Sequence, residues 1–210
     1  MLQPLKTLQN QFVRLEPLSH AHIPALLGIA QTSPRDVYAL TTVPDTLAGM
    51  TAYVDAALEM AGQGSAVAFA TIDAISGQVV GSTRLANLEF WAWAAGNPLA
   101  KTDGTPDAAE IGWTWLAPAA QRSAINTAAK LLMLSHAFET WRVRRVTLKT
   151  DARNERSRNA ILRIGASFEG VLRCHVPASD GGVRDSAMYS ILLTEWLDVK
   201  VQLEGMLIPS

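Results

Sequence analysis

The polar segment from Gln121 to Thr127 has the residue types that hold an anion at the start of a helix. It follows Pro118 and precedes a long helical pattern. The first free N–H groups of a helix and its dipole both favour a phosphate. Such a loop usually contains glycines, because converging amides need positive φ, and this segment has none. The donors it offers are Gln121, Arg122, Ser123, Asn126 and Thr127, and an ordinary helix cap remains the alternative.

The segment from residue 142 to residue 163 is strongly basic. It contains eight Arg or Lys residues and two acidic residues, a local charge of +6. The basic residues are Arg142, Arg144, Arg145, Lys149, Arg153, Arg156, Arg158 and Arg163. One interpretation is a patch facing a polyphosphate. Others are a solvated helix face with strand-end charges, or a patch that binds RNA.

These segments lie within an alternating pattern of elements. Strands are predicted at 11–18, 65–73, 78–93, 109–118, 143–150, 166–176 and 182–193. Helices are predicted from Ser19 to residue 30 and at 47–61, 122–141, 154–165 and 194–203. Ser19 and Asn154 are predicted N-caps, and Gly165 is a predicted stop. The order β-α-α-β-β-β-α-β-α-β-β-α predicts one mixed α/β domain over residues 1–210.

Composition narrows the classes of function. The chain is 49% hydrophobic and 18% charged, enough for a substantial core, and its net charge of −1 disfavours a dedicated nucleic-acid binder. No apolar run is long enough to cross a membrane, and the start of the chain lacks signal-peptide features. Cys174 is the only cysteine, which suits a reducing cytoplasm. Scattered histidines predict no metal site.

The element order and four stretches together resemble the GNAT superfamily of acyl-CoA-dependent N-acyltransferases, in the RimJ/RimL-like branch. The stretches are EIGWTWLAP, QRSAINTAAKLLMLSHAFE, DARNERSRNAILRIGASFEGVLR and VRDSAMYSIL, and the resemblance runs from about Phe12 to Trp196. It implies a GNAT-type fold: a mixed, mostly antiparallel twisted sheet with two splayed parallel strands and flanking helices. It also implies direct acetyl transfer from acetyl-CoA to an amine, such as a protein N-terminus or small molecule. It implies no metal and allows a homodimer.

The resemblance assigns the coenzyme to particular residues. The superfamily's pyrophosphate loop reads Q/R-x-x-G-x-G/A, and the matching positions are Gln121, Ala124 and Asn126, so both glycine positions are altered. Ala124 is tolerable with a helical φ and costly with a positive one. The whole turn from Gln121 to Thr127, with Ile125, would hold the pyrophosphate. Trp115 and Leu116 would border the thioester, whose carbonyl a backbone N–H near Leu116 would polarise.

The start of the next helix would hold the rest of the coenzyme. The resemblance implies that Asn154 contacts the pantetheine arm and that Ser157 lies near the departing thiolate, with Arg158 beside it. Many family members carry a tyrosine acid seven residues after this asparagine, where this chain has Ile161. Taken alone, Ser157 is more simply a first-turn helix residue.

Three side chains are candidates for proton transfer with the acceptor. Glu110 lies eleven residues before Gln121, where some members of the superfamily carry a catalytic glutamate, although a solvent-facing carboxylate at a strand end is an equal alternative. His175 and Tyr189 on the C-terminal hairpin are further candidates.

Four tryptophans, at positions 91, 93, 113 and 115, are predicted on two neighbouring strands. Cross-strand packing is the simple explanation, and a wall of the acceptor cleft is the alternative, with residues 96–108 as its flexible cover. A rival to the enzyme is a non-catalytic module that senses acyl-CoA or binds a protein, which Ala124 and Ile161 keep open.

Overall fold

The computed structural model describes residues 6–208, and its strands form one eight-stranded sheet. The strands are β1 (Leu8–Gln9), β2 (Val13–Pro17), β3 (Val67–Asp73), β4 (Val79–Glu89), β5 (Ala108–Leu116), β6 (Arg145–Asp151), β7 (Ser167–Pro177) and β8 (Val183–Leu192). The α-helices are α1 (Ile23–Thr32), α2 (Leu47–Gly62), α3 (Ala124–Ser135), α4 (Glu155–Arg163) and α5 (Trp196–Gly205). Their order is the predicted one, with a short β1 added.

The sheet order is β1-β2-β3-β4-β5-β6-β8-β7. Every neighbouring pair is antiparallel except β5 and β6, which run parallel. The predicted mixed, mostly antiparallel sheet with one parallel pair is therefore confirmed.

Helices cover both faces of the sheet, because side chains alternate along each strand. On β3, Ala68 and Ala70 join the cluster formed with α1 and α2. Phe69, between them, joins the larger cluster with α3 and α5. In the following description these are the α1/α2 face and the α3 face.

Local capping signals place the helices that start at the site. The Ser123 hydroxyl accepts a hydrogen bond from the Ile125 N–H, so the helix predicted at 122–141 begins at Ala124, and it ends in a π turn at His136–Thr140. Asn154 caps α4 by accepting from the Ser157 N–H, and Gly165 ends that segment with φ +90°. These two predictions are confirmed.

The predicted four-tryptophan cluster is wrong. Strand β4 ends at Glu89, so Trp91 and Trp93 lie in the following loop, 5.7 Å apart between ring centroids. Trp113 and Trp115 lie at the other end of the β4–β5 pair, where Trp115 pairs with Ser82. The sequence pattern extended β4 too far, because aromatic residues also suit strands.

The loop at 96–108 is not the cover of the cleft that the sequence predicts. Lys101 donates to the backbone oxygen of Trp141, and Asp103 pairs with Arg142, so the loop is tied to the segment between α3 and β6. None of its residues lines the cleft described below.

Two irregularities open the sheet at its centre. Strands β5 and β6 pair only from Ala108–Arg145 to Ile111–Leu148, and beyond that point they separate. In the same region β5 carries a bulge: Trp113 and Thr114 oppose a single residue of β4, and Trp113 has φ +49°. A bulge bends its strand and redirects the groups on it. The result is a gap that narrows to a throat at Ile111 and Leu148.

Candidate active site

A cavity of about 930 Å³ fills the gap between β5 and β6. The starts of α3 and α4 form its outer end, and the loop between α1 and α2 borders it through Tyr38 to Thr42. The hairpin of β7 and β8 adds Val176, Pro177 and Arg184. One continuous cleft thus joins a helix N-terminus to the throat of the sheet.

The outer end of the cleft has the donors that an anion needs. Arg122, Ser123, Asn126 and Thr127 line it around the N-terminus of α3, together with Arg156 of α4. Gln121 also lines it, but its amide donates to the Leu116 oxygen at 3.0 Å, so its role includes holding the turn against β5. Two guanidinium groups and a helix N-terminus therefore meet at one place.

The residue of this turn with a left-handed backbone is Arg122, which is not one of the two glycine positions of the motif. Its φ is +60°, whereas Ala124 is the first residue of α3 and has no positive φ. Alanine at position 124 therefore adds no backbone strain. Ile125 does not line the cleft, because its side chain lies in the core.

The start of α4 forms a second wall. Asn154 is 8% exposed, and its side-chain oxygen accepts from Ser157 at 3.0 Å. Both residues line the cleft, as does Ile161 one turn further along. Arg158 does not: its guanidinium donates to the Tyr189 hydroxyl at 3.0 Å and lies over the Phe168 ring. The Arg158 side chain is thus turned toward β7 and β8, and a contact of this residue with the coenzyme stays a prediction.

Glu110 lies at the throat and is 6% exposed, so the solvent-facing alternative is wrong. Its carboxylate lies 2.9 Å from the Lys149 ammonium and accepts from the Asn87 amide at 3.0 Å. A buried charge needs such partners, and they fix its orientation toward the cleft.

The two other proton-transfer candidates do not line the cleft. Tyr189 is fully buried in the core cluster of the α3 face, so the expectation that it faces the acceptor is wrong. It lies on β8 at a core-facing position that the strand pattern did not distinguish from its neighbours. His175 is half-buried, and its Nδ1 lies 3.0 Å from the Ser186 hydroxyl, which also accepts from Arg184. His175 is thus connected to the cleft through Ser186 and the lining residue Arg184.

The sequence reasoning missed Lys130, a cleft residue on α3. It is 5% exposed, and its ammonium donates to the Thr114 hydroxyl at 2.7 Å. Among residues 6–208 it forms no salt bridge, and burial lowers its pKa to about 7. Its spacing of three and four residues before Met133 and Leu134, both buried, was the available signal.

The basic run from 142 to 163 does not form one patch. Five of its members pair with carboxylates: Arg142 with Asp103, Arg144 with Asp107, Arg145 with Glu169, Lys149 with Glu110, and Arg153 with Asp151 and Asp180. Of the eight, Lys149, Arg156 and Arg163 line the cleft. The patch facing a polyphosphate therefore reduces to individual side chains, and binding of RNA by this segment stays a prediction.

Within the part of the chain that the structure describes, no group of three or more His, Cys, Asp or Glu residues could hold a metal ion. Across the same residues, no helix is long and apolar enough to cross a membrane.

Comparison with known proteins defines the class. The GNAT acetyltransferase domain matches residues 13–167, so the chain belongs to the GNAT acetyltransferase family. An acetyltransferase from T. thermophilus is 33% identical, with a TM-score of 0.79 over 99% of this chain and 100% of that one. A search of curated proteins found no match.

Two structures in complex with coenzyme A or its disulfide share the fold. Mycobacterium smegmatis RimJ in complex with CoA-disulfide is 20% identical, with a TM-score of 0.74 over 95% of this chain and 92% of that one. RimL, a ribosomal-protein acetyltransferase in complex with coenzyme A, is 17% identical, with a TM-score of 0.69 over 89% and 97%. The predicted GNAT fold is therefore confirmed, and RimJ and RimL are among the structures that share it.

Proposed function

We propose that this protein transfers an acetyl group from acetyl-CoA to a primary amine by direct attack in a ternary complex. The observation that carries the proposal is the continuous cleft from the N-terminus of α3 to the throat beside Glu110. A thioester and an amine must meet in one orientation, and a gap between two strands holds both in contact. The complexes of RimJ and RimL with CoA derivatives support the choice of co-substrate.

The residues of the cleft fit the parts of coenzyme A in order. The α3 N-terminus, Arg122 and Arg156 suit the pyrophosphate. Further in, Ile161 and Ile164 offer apolar walls to the pantetheine arm. The Leu116 carbonyl accepts from Tyr38 and Gln121 on the side of the gap, and in a strand the N–H of the same residue points to the same side. A polar strand edge is therefore available to the arm and to the thioester carbonyl.

On the acceptor side, Glu110 takes the proton that the amine must lose, directly or through a water molecule. Its place next to the last paired residue of β5 brings it to the point where the strands part. The loop at 38–42 and the β7–β8 hairpin enclose this side, and Ser179 donates to the Ala39 oxygen to join them. The amine would enter between these two segments.

Calorimetric titration with acetyl-CoA, repeated with 3′-dephospho-CoA, tests the co-substrate. We expect micromolar binding to the wild type and binding weakened about tenfold by Arg156→Gln. Ile75→Ala is the matched control, because Ile75 is 85% exposed and lies outside the cleft. Absence of binding at millimolar coenzyme would refute the proposal. Binding without turnover of any peptide or small amine would favour the non-catalytic module.

A further inference from the structure

Lys130 and Glu110 flank the throat from opposite faces of the sheet. Ile111 packs into the core of the α3 face, so its neighbour Glu110 points to the α1/α2 face. Lys130 approaches from α3 and reaches Thr114, on the bulge of β5. Two ionisable groups, one from each side, thus border the place where the strands separate.

Acetyl transfer from a thioester leaves a negative charge on the departing sulfur, and an ionisable side chain beside the throat can neutralise it. When the amine nitrogen bonds to the carbonyl carbon and the carbon–sulfur bond breaks, the electron pair stays on sulfur. The resulting thiolate needs a proton, which a side chain of the cleft can donate.

The hydroxyl groups of the cleft are weak candidates for donating a proton to the thiolate. An aliphatic hydroxyl such as that of Ser157 is a far weaker acid than a thiol. The Tyr38 hydroxyl donates to the Leu116 oxygen at 2.9 Å, and burial raises its pKa. Ile161 has no proton to give. Lys130 has three ammonium hydrogens, and Thr114 accepts one of them.

We propose that Lys130 is the general acid that protonates the thiolate leaving group; this inference rests on the proposed function. The amine proton leaves toward Glu110, the sulfur takes a proton from the Lys130 ammonium, and neutral Lys130 recovers a proton from solvent through the cleft. The products are an amide and a thiol, with atoms and charge balanced.

The surroundings of Lys130 suit this exchange. Burial lowers the pKa of Lys130 to about 7, so its ammonium gives up a proton more readily than that of an ordinary lysine. On the neighbouring helix α4, Arg163 donates to Thr127, three residues before Lys130. Lys149 and Glu110 belong to the opposite face and pair with each other.

The test uses coenzyme A itself as the probe and the ultraviolet absorbance of its thiolate as the readout. The protein carries Cys174→Ser, which removes its only thiol. Wild-type, Lys130→Met and Lys130→Arg versions are saturated with coenzyme A and titrated from pH 6 to 10, and the titration of each coenzyme-free protein is subtracted. We expect the bound thiol to ionise at a lower pH with Lys130 or arginine than with methionine, by roughly one to three pH units with arginine and by less with Lys130, which is partly neutral near pH 7.

A second measurement separates charge from proton donation. Arginine keeps the charge but does not release its proton. With hydroxylamine as the amine and saturating acetyl-CoA, we expect both variants to lose about 10²-fold or more in turnover. Coenzyme binding with identical thiol ionisation in all three proteins, or full turnover by Lys130→Arg, would overturn this inference alone. Absence of coenzyme binding in all three would overturn the proposed function and this inference with it.

Discussion

Replacing Lys130 by methionine should stabilise the protein at neutral and acidic pH. The ammonium is buried without a carboxylate, and its pKa falls from 10.5 to about 7. That difference of roughly 3.5 units corresponds to about 5 kcal/mol of penalty for the charged form, as an upper limit. Methionine has a similar length and no charge. It loses the hydrogen bond to Thr114, worth about 1 kcal/mol, while Thr114 keeps its 2.7 Å partner Thr83.

The sign of the pH dependence follows from proton binding. Between pH 7 and 10.5 the unfolded chain holds a proton on Lys130 that the folded protein has released. The free energy of unfolding of the wild type therefore rises with pH in this window, by about 1.4 kcal/mol per unit from this group. At pH 6 we expect the methionine variant to be more stable by up to about 4 kcal/mol. The advantage should disappear by about pH 10.

Urea unfolding followed by tryptophan fluorescence at pH 6, 7.5 and 9 measures this difference directly. Other groups titrate alike in both proteins, so their contributions cancel in the comparison. A stability difference that stays constant across the three pH values would refute the reasoning, because it would mean that Lys130 keeps an ordinary pKa in the folded protein. A destabilised variant at pH 6 would refute it as well.

Three further substitutions test other parts of the site. Arg122→Gly should relieve the backbone at φ +60° and raise the free energy of unfolding by about 1 kcal/mol. The same variant should bind the coenzyme about tenfold more weakly in calorimetry. Arg122→Ala should weaken binding without the gain in stability. Glu110→Gln should lower turnover 10²-fold or more at unchanged coenzyme affinity, and equal turnover would remove Glu110 as the base. Trp93→Ala should lower the free energy of unfolding by about 2 kcal/mol, because the Trp93 indole donates to Asp107 and Arg144 lies over its ring. The acceptor KM should stay constant, and a raised KM would show that the loop reaches the acceptor.

The amino-acid sequence by itself determined the features that depend on neighbours along the chain. The Asn154 cap and the stop at Gly165 act within one turn, so they could be predicted from residue types and spacing. The polar turn at the outer end of the cleft could be predicted for the same reason, because a helix N-terminus and the turn before it are local.

Only the tertiary structure decided which side chains meet at the throat. Strand periodicity gives two faces for each strand, but it does not say which face lies against the cleft or where a bulge shifts the alternation. Against expectation, Tyr189 therefore lies in the core and Trp93 lies in the loop after β4. Lys130 lies in an apolar stretch of α3, and it became a cleft residue because β5 and β6 separate opposite it. That separation depends on pairing between residues more than thirty positions apart, which no local pattern encodes.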